Sequence, residues 1–183
     1  MHRIRFIGIV LAVAVMTTTA PAQHTDERKG NLAMFEVPAA VNAEHERLHA
    51  DLSAAIELGG KTGQAAKRLA DVLHEHFVSE EELALPPLAL LGPIAEGRIP
   101  SEMRTVIATT DRLKAEMPRM LDEHKSILQA LDELGRAAQA EHHPEVNRFV
   151  EALASHAQTE EQVLYPAAIL VGEYLKLKMA AVE

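Results

Sequence analysis

Two stretches of the chain carry the same metal-ligand residue types at the same spacing. His76 is followed four residues later by Glu80, and His156 by Glu160. The two pairs stand 80 positions apart, and Pro86 and Gly92 recur at that offset as Pro166 and Gly172. Upstream, Glu44-His45 recurs as Glu123-His124, 79 positions on. Imidazole nitrogen and carboxylate oxygen without thiolate suit iron, manganese or zinc, and the chain contains no Cys. A duplication that keeps two His and one Glu in each half predicts a paired cation site between the halves.

The elements that position these residues read as helices. Ala, Leu, Glu, Lys and Arg are plentiful, and β-branched alternation is scarce. The pattern predicts a first helix from Pro38 to Leu58, stopped by Gly59-Gly60-Lys61-Thr62-Gly63. A second runs from Gln64 to Leu91, ending at Gly92-Pro93. Ser101 caps a crossover segment that reaches Glu116. A third core helix starts at Pro118, a first-turn residue by preference, and reaches Ala138. The fourth runs from Pro144 to Lys178. Pro86-Pro87 and Pro166 fall inside the second and fourth helices, where a missing N–H bends the helix. The predicted architecture is all-α, an antiparallel four-helix bundle of two helical hairpins.

On a helix, offsets of −7, −4, −3, +4 and +7 share a face. For His76 these are Leu69, Val72, Leu73, Glu80 and Leu83; for His156, Phe149, Ala152, Leu153, Glu160 and Val163. His124 shares its face with Met117, Met120, Leu121, Leu128 and Leu131, and His45 with Val41, His49 and Leu52. Each helix thus sets one His within its own apolar stripe, and two Glu enter the core with them. A single His on such a stripe is more often a hydrogen-bonded core residue. Four on four helices, with two Glu, bring buried charge that needs partners, and a cation supplies them at once. His49, one turn beyond His45, is a seventh candidate whose repeat counterpart is Leu128. Glu81 and Glu161, at +5 from each His, are expected to face solvent unless a π-bulge or the Pro bend turns one inward. His74, His142, His143 and His24 read as solvated.

Other metal motifs fit less well. A ferritin-like site needs two Glu-x-x-His pairs; only Glu46 with His49 has that spacing. His74-Glu75-His76-Phe77-Val78 lacks the final His of a zinc-hydrolase helix.

The full double pattern resembles the hemerythrin-like family, the HHE cation-binding domains, over about Val37 to Lys178. His45 with His76 and Glu80, and His124 with His156 and Glu160, meet its His, then His-x-x-x-Glu arrangement. The tails Glu80-Glu81-Glu82-Leu83-Ala84-Leu85-Pro86 and Glu160-Glu161-Gln162-Val163-Leu164-Tyr165-Pro166 match its Glu-rich, Pro-terminated continuation. The resemblance implies two non-haem irons, with zinc or manganese as lesser alternatives. It implies that Glu80 and Glu160 bridge them, and that one iron takes His45 and His76 or a mixed set. Oxygen-carrying members use a fifth His in a His-x-x-x-His spacing, which this chain has at His45 and His49, on its first helix rather than its third.

The implied function is the binding of O₂ or another small gas, as carrier, buffer or sensor. The alternatives are a di-iron redox enzyme that removes peroxide or nitric oxide, and a protein that only holds iron or zinc. No acid, base or nucleophile beyond the ligands calls for a substrate-converting enzyme.

The start of the chain reads as an address. A basic stretch to Arg5, an apolar run from Phe6 to Met16 and Ala20-Pro21-Ala22 form a signal peptide over residues 1–22, cut after Ala22. The apolar run is shorter than the roughly 20 residues of a transmembrane helix. Residues 23–36 then form a polar, disordered linker, and 37–180 the bundle. Cleavage leaves 161 of 183 residues and moves the formal charge from −9 to −11, because Arg3 and Arg5 leave. An acidic surface argues against nucleic acid or an anionic membrane as partner. The expected location is periplasmic or secreted; a start at Met34 would instead leave the bundle whole and cytoplasmic.

Overall fold

The computed structural model describes residues 36–180. The expected signal peptide, and the linker apart from its last residue, lie outside the described residues. Every regular element among them is helical: α1 (Ala39–Glu57), α2 (Gly60–Ser79), α3 (Leu85–Leu88), α4 (Leu91–Ala95), α5 (Thr105–Glu141), α6 (Pro144–Thr159) and α7 (Tyr165–Ala180), with the π and 3₁₀ turns described below. Two five-residue π turns, Glu80–Ala84 and Glu160–Leu164, join α2 to α3 and α6 to α7 without a break. The four long rods are therefore α1, α2–α3, α5 and α6–α7, as the bundle reading predicted. Among the described residues no helix is long and apolar enough to cross a membrane.

The rods form a ring. α1 packs on α2, α2 on α5, α5 on α6, and α6 on α1, so each hairpin of one half borders both helices of the other. Two of the three apolar clusters among the described residues flank the site. One holds Leu48, Leu52, Leu69, Leu73, Ile127, Leu131, Phe149 and Leu153. The other holds Leu83, Leu88, Leu113, Met120, Tyr165 and Ala168. The polar residues of the site lie between them.

Four boundaries differ from the sequence expectation. α2 begins at Gly60, four residues early, because a partner from the far end of the chain satisfies its first N–H groups. Glu141 accepts from the backbone N–H of Lys61 and of Thr62 (2.9 Å each) and from the Thr62 hydroxyl (2.7 Å). Gly60, at φ +59°, leaves room for that carboxylate, which lies 2.9 Å from where a Cβ would stand. Second, α5 runs unbroken through Pro118, with no separate crossover helix. Pro118 and Lys114, whose carbonyl loses its partner, are both exposed, so water can take that bond. Third, Ser101 makes no cap; it opens a 3₁₀ turn, Ser101–Arg104, and the Thr105 hydroxyl donates to the Glu102 carbonyl at 2.9 Å. Fourth, the second rod's helical run stops at Leu88, and Leu91 opens the separate α4.

The expected bends take a particular form. Rather than a kink at each Pro, a five-residue π turn ends two positions before it. Leu85 N–H donates to Glu80 C=O, and Tyr165 N–H to Glu160 C=O. Pro86 and Pro166 follow it, so the helix is already loosened where an N–H is missing. Such turns are concentrated at functional sites, and here each opens on a Glu of the repeated motif.

Candidate metal centre

Six of the seven candidate residues converge in the middle of the bundle. His76, His124, His156, Glu80 and Glu160 are each at most 2 % exposed, and His45 is half-buried. They fall into two groups, His76 with His124, and His45 with His156, both completed by Glu160. Each group is a mixed set, one His from each half. The ring order explains it: α2 borders α5 and α6 borders α1, so the His residues that meet belong to different hairpins.

Glu160 spans the two groups. Its Oε1 lies 2.6 Å from His156 Nε2 and 3.7 Å from His45 Nε2, and its Oε2 lies 3.3 Å from His124 Nε2. Glu80 sits to one side. Its Oε2 is 3.8 Å from His76 Nε2, and its Oε1 accepts from the Tyr165 hydroxyl at 2.8 Å. Glu160 thus reaches His residues of both groups, while Glu80 lies near one group only.

His49 joins neither group. Its ring packs on Phe77 at 4.5 Å and its side chain lines a cleft of about 290 Å³ together with His45, Glu81 and Leu85. The repeat accounts for this. Leu128, its counterpart on α5 and also expected on the core face, is 45 % exposed. Both sit at +4 from a His, while Leu48 and Ile127 at +3 are buried. The core face is centred on the +3 side, so +4 turns outward. Val163, a third expected core residue, lies within the second π turn and is 55 % exposed, whereas Leu83, its counterpart in the first π turn, is buried.

Four residues that the sequence reading did not place at the site belong to it. Glu123 Oε2 stands 3.2 Å from His76 Nδ1, Glu161 Oε1 2.8 Å from His124 Nδ1, and Glu44 Oε1 3.5 Å from His156 Nδ1. Glu161, expected to face solvent, is exposed yet reaches inward from the π turn. Glu44 and Glu123 already recur beside His45 and His124, and that recurrence was the available signal. The fourth is Tyr165, fully buried, whose hydroxyl also lies 3.3 Å from His124 Nε2 and 3.5 Å from His76 Nε2. Its repeat counterpart is Leu85, so no symmetry pointed to it.

A carboxylate on Nδ1 fixes an imidazole's tautomer and turns the Nε2 lone pair toward the centre. His76 and His124 bring their Nε2 atoms to 3.0 Å of each other. Burial and the neighbouring His124 push His76 below the ordinary imidazole range. Burial opposes charge on His124 too, but Glu160 and Glu161 hold it above that range. His156 is likewise raised, against its burial, by Glu160 and Glu44. Burial and the Glu160 carboxylate push Glu80 well above the usual carboxylate range. Burial works against Glu160 as well, but His124, His156 and His45 hold it far below that range. Burial, with Glu80 and Glu160, raises the Tyr165 phenol, which keeps its proton and donates.

The donors fit a cation on a separate count. Among the described residues, the buried side-chain atoms without a well-directed hydrogen bond are His45 Nε2, Glu80 Oε2, His156 Nδ1, His156 Nε2 and Glu160 Oε1, the last two facing each other at 2.6 Å. All belong to this cluster. Beside them a cavity of about 10 Å³, room for one ion or water, is lined by His76, His124, His156 and Glu160. Buried polar atoms without partners are costly, and a cation among the Nε2 and carboxylate atoms removes the cost for all of them but His156 Nδ1, which faces Glu44. No curated protein and no solved structure matches the chain. The family model for the hemerythrin HHE cation binding domain matches residues 36–168, a span that holds every residue of the cluster, and the chain belongs to that family.

Proposed function

We propose that the protein holds two non-haem iron ions, one at His76 and His124 and the other at His45 and His156, with Glu160 between them and Glu80 on the first. The observation that carries this reading is the concentration of buried donor atoms without well-directed hydrogen bonds in one six-residue cluster with two His groups. Imidazole and carboxylate donors suit iron, and zinc and manganese take the same types. In this reading the bound pair supplies the electrons for taking up O₂ or a related small molecule, and the protein acts as carrier, buffer or sensor.

The chain's own residues do the rest. Glu123 and Glu161 orient the His76 and His124 rings through Nδ1, and Glu44 stands near Nδ1 of His156. The apolar clusters above and below limit water. The cleft beside His45 supports entry of a small molecule at the His45 and His156 group, since His45 is the one half-buried member. The leader pattern over residues 1–22 supports export to the periplasm or beyond the cell, which N-terminal sequencing of the mature protein tests.

The test is elemental analysis of the purified protein with its absorption spectrum, reduced and then exposed to O₂. Two irons per chain and an absorption that appears with O₂ and disappears on degassing are expected. Catalysed loss of peroxide or nitric oxide, without reversible uptake, moves the assignment to a redox enzyme. One zinc per chain and no iron overturns both.

A further inference from the structure

We propose that Tyr165 is itself a metal ligand, and that its phenol oxygen completes the His76 and His124 group while the other group has no such donor. This rests on the metal centre proposed above and specifies one half of it.

The argument is one of donor spacing. Ligand atoms about 2.0–2.2 Å from a common ion stand roughly 2.8–3.6 Å from their neighbours, the shorter values octahedral and the longer tetrahedral. Tyr165 Oη lies 2.8 Å from Glu80 Oε1, 3.3 Å from His124 Nε2 and 3.5 Å from His76 Nε2. The two Nε2 atoms are 3.0 Å apart, and Glu160 Oε2 lies 3.3 Å from His124 Nε2. These separations are those of the edges of one coordination polyhedron, and Oη is one of its corners. A residue that only filled space would not need a hydroxyl there. At the position 80 residues earlier the chain has Leu85, which offers no donor and lines the cleft beside His45. The two halves are therefore chemically unequal, one closed by a phenol and the other opening on a cleft.

On ligation the Tyr165 O–H bond gives way to an oxygen–metal bond. The proton is released to solvent, as protons are when a metal takes an ionisable ligand. No electron is transferred in this step.

The probe is ferrous iron, loaded into the full-length protein and then oxidised in air. A ferric ion bound by a phenolate gives a visible charge-transfer absorption, and excitation into it enhances tyrosinate ring vibrations in the Raman spectrum. The expected result is that band in the unaltered protein, its loss in Tyr165→Phe with iron content retained, and its persistence in Tyr174→Phe. The chain has two Tyr, and Tyr174 sits on Lys178 away from the cluster, so the assignment is clean. Iron bound without a phenolate band in the unaltered protein overturns the proposal and leaves the metal centre standing, with Tyr165 reduced to a hydrogen-bond donor to Glu80. A band that survives Tyr165→Phe overturns it equally. Failure to take up iron removes the metal centre and this ligand together.

Discussion

Glu123 on α5 reaches across the helix interface to His76 on α2, its Oε2 3.2 Å from Nδ1. Its other oxygen accepts from Arg119, whose second amino group donates to Ser79 at 3.1 Å, next to Glu80. The carboxylate is thus fixed before it meets the imidazole. Glu123→Gln removes the charge that holds the ring's tautomer and is expected to lower metal affinity about 10–100-fold. Competition with a chelator measures this, and unchanged affinity would show that the ring is held by packing alone.

Direct loss of a donor has a larger effect. His76→Ala or His156→Ala empties one corner of its group and is expected to cut metal content sharply. His74→Ala and His49→Ala leave it at the unaltered level, because His74 is exposed and His49 packs on Phe77 outside both groups. Metal analysis of the four purified variants decides it. Equal loss from all four would contradict the geometry.

Glu141 predicts a pH dependence away from the metal. Hydrogen bonds from the Thr62 hydroxyl and from the backbone of Lys61 and Thr62 lower its carboxyl from 4.5 to about 2. A carboxylate depressed in the folded state stabilises above its unfolded pKa, and that stabilisation is lost as pH falls through the folded value. Glu141→Gln is therefore expected to lower Tm at pH 7 by about 2–4 °C. The gap to the unaltered protein narrows as pH falls from about 4.5 toward 2. Thermal melts at pH 7, 4 and 3 check the trend; a gap that widens on acidification would refute it.

Gly172 lets α7 pack tightly against α5 at Thr110. A Cβ there would stand 1.8 Å from the Thr110 hydroxyl and 2.6 Å from its Cβ. Gly172→Ala is expected to destabilise by ~1–3 kcal/mol through overpacking, despite alanine's better helix propensity. Gly92→Ala, the repeat-related change, meets open space and serves as its control. Denaturant unfolding of both variants reads the difference, and equal midpoints would rule out the clash.

By itself the sequence determined the all-helical class, the two repeated hairpins and the six His and Glu residues that turn toward the core. Each of these follows from periodicity along one helix: a His amid Leu at three- and four-residue spacing must face the core wherever the neighbours lie. Which residues meet was decided by the ring order of the helices. His76 pairs with His124, and His45 with His156, because α2 borders α5 and α6 borders α1, and no single-helix period carries that information. The same holds for Glu44, Glu123 and Glu161, exposed or half-exposed acids on their own helices that become partners of Nδ1 only across an interface. His49 and Leu128 show the limit of counting offsets. An apolar stripe about 100° wide leaves open which edge is buried, and packing buried the +3 edge. Tyr165 reached the centre through a π turn, a local widening that moved its phenol beside two imidazoles and that period-3.6 arithmetic does not contain.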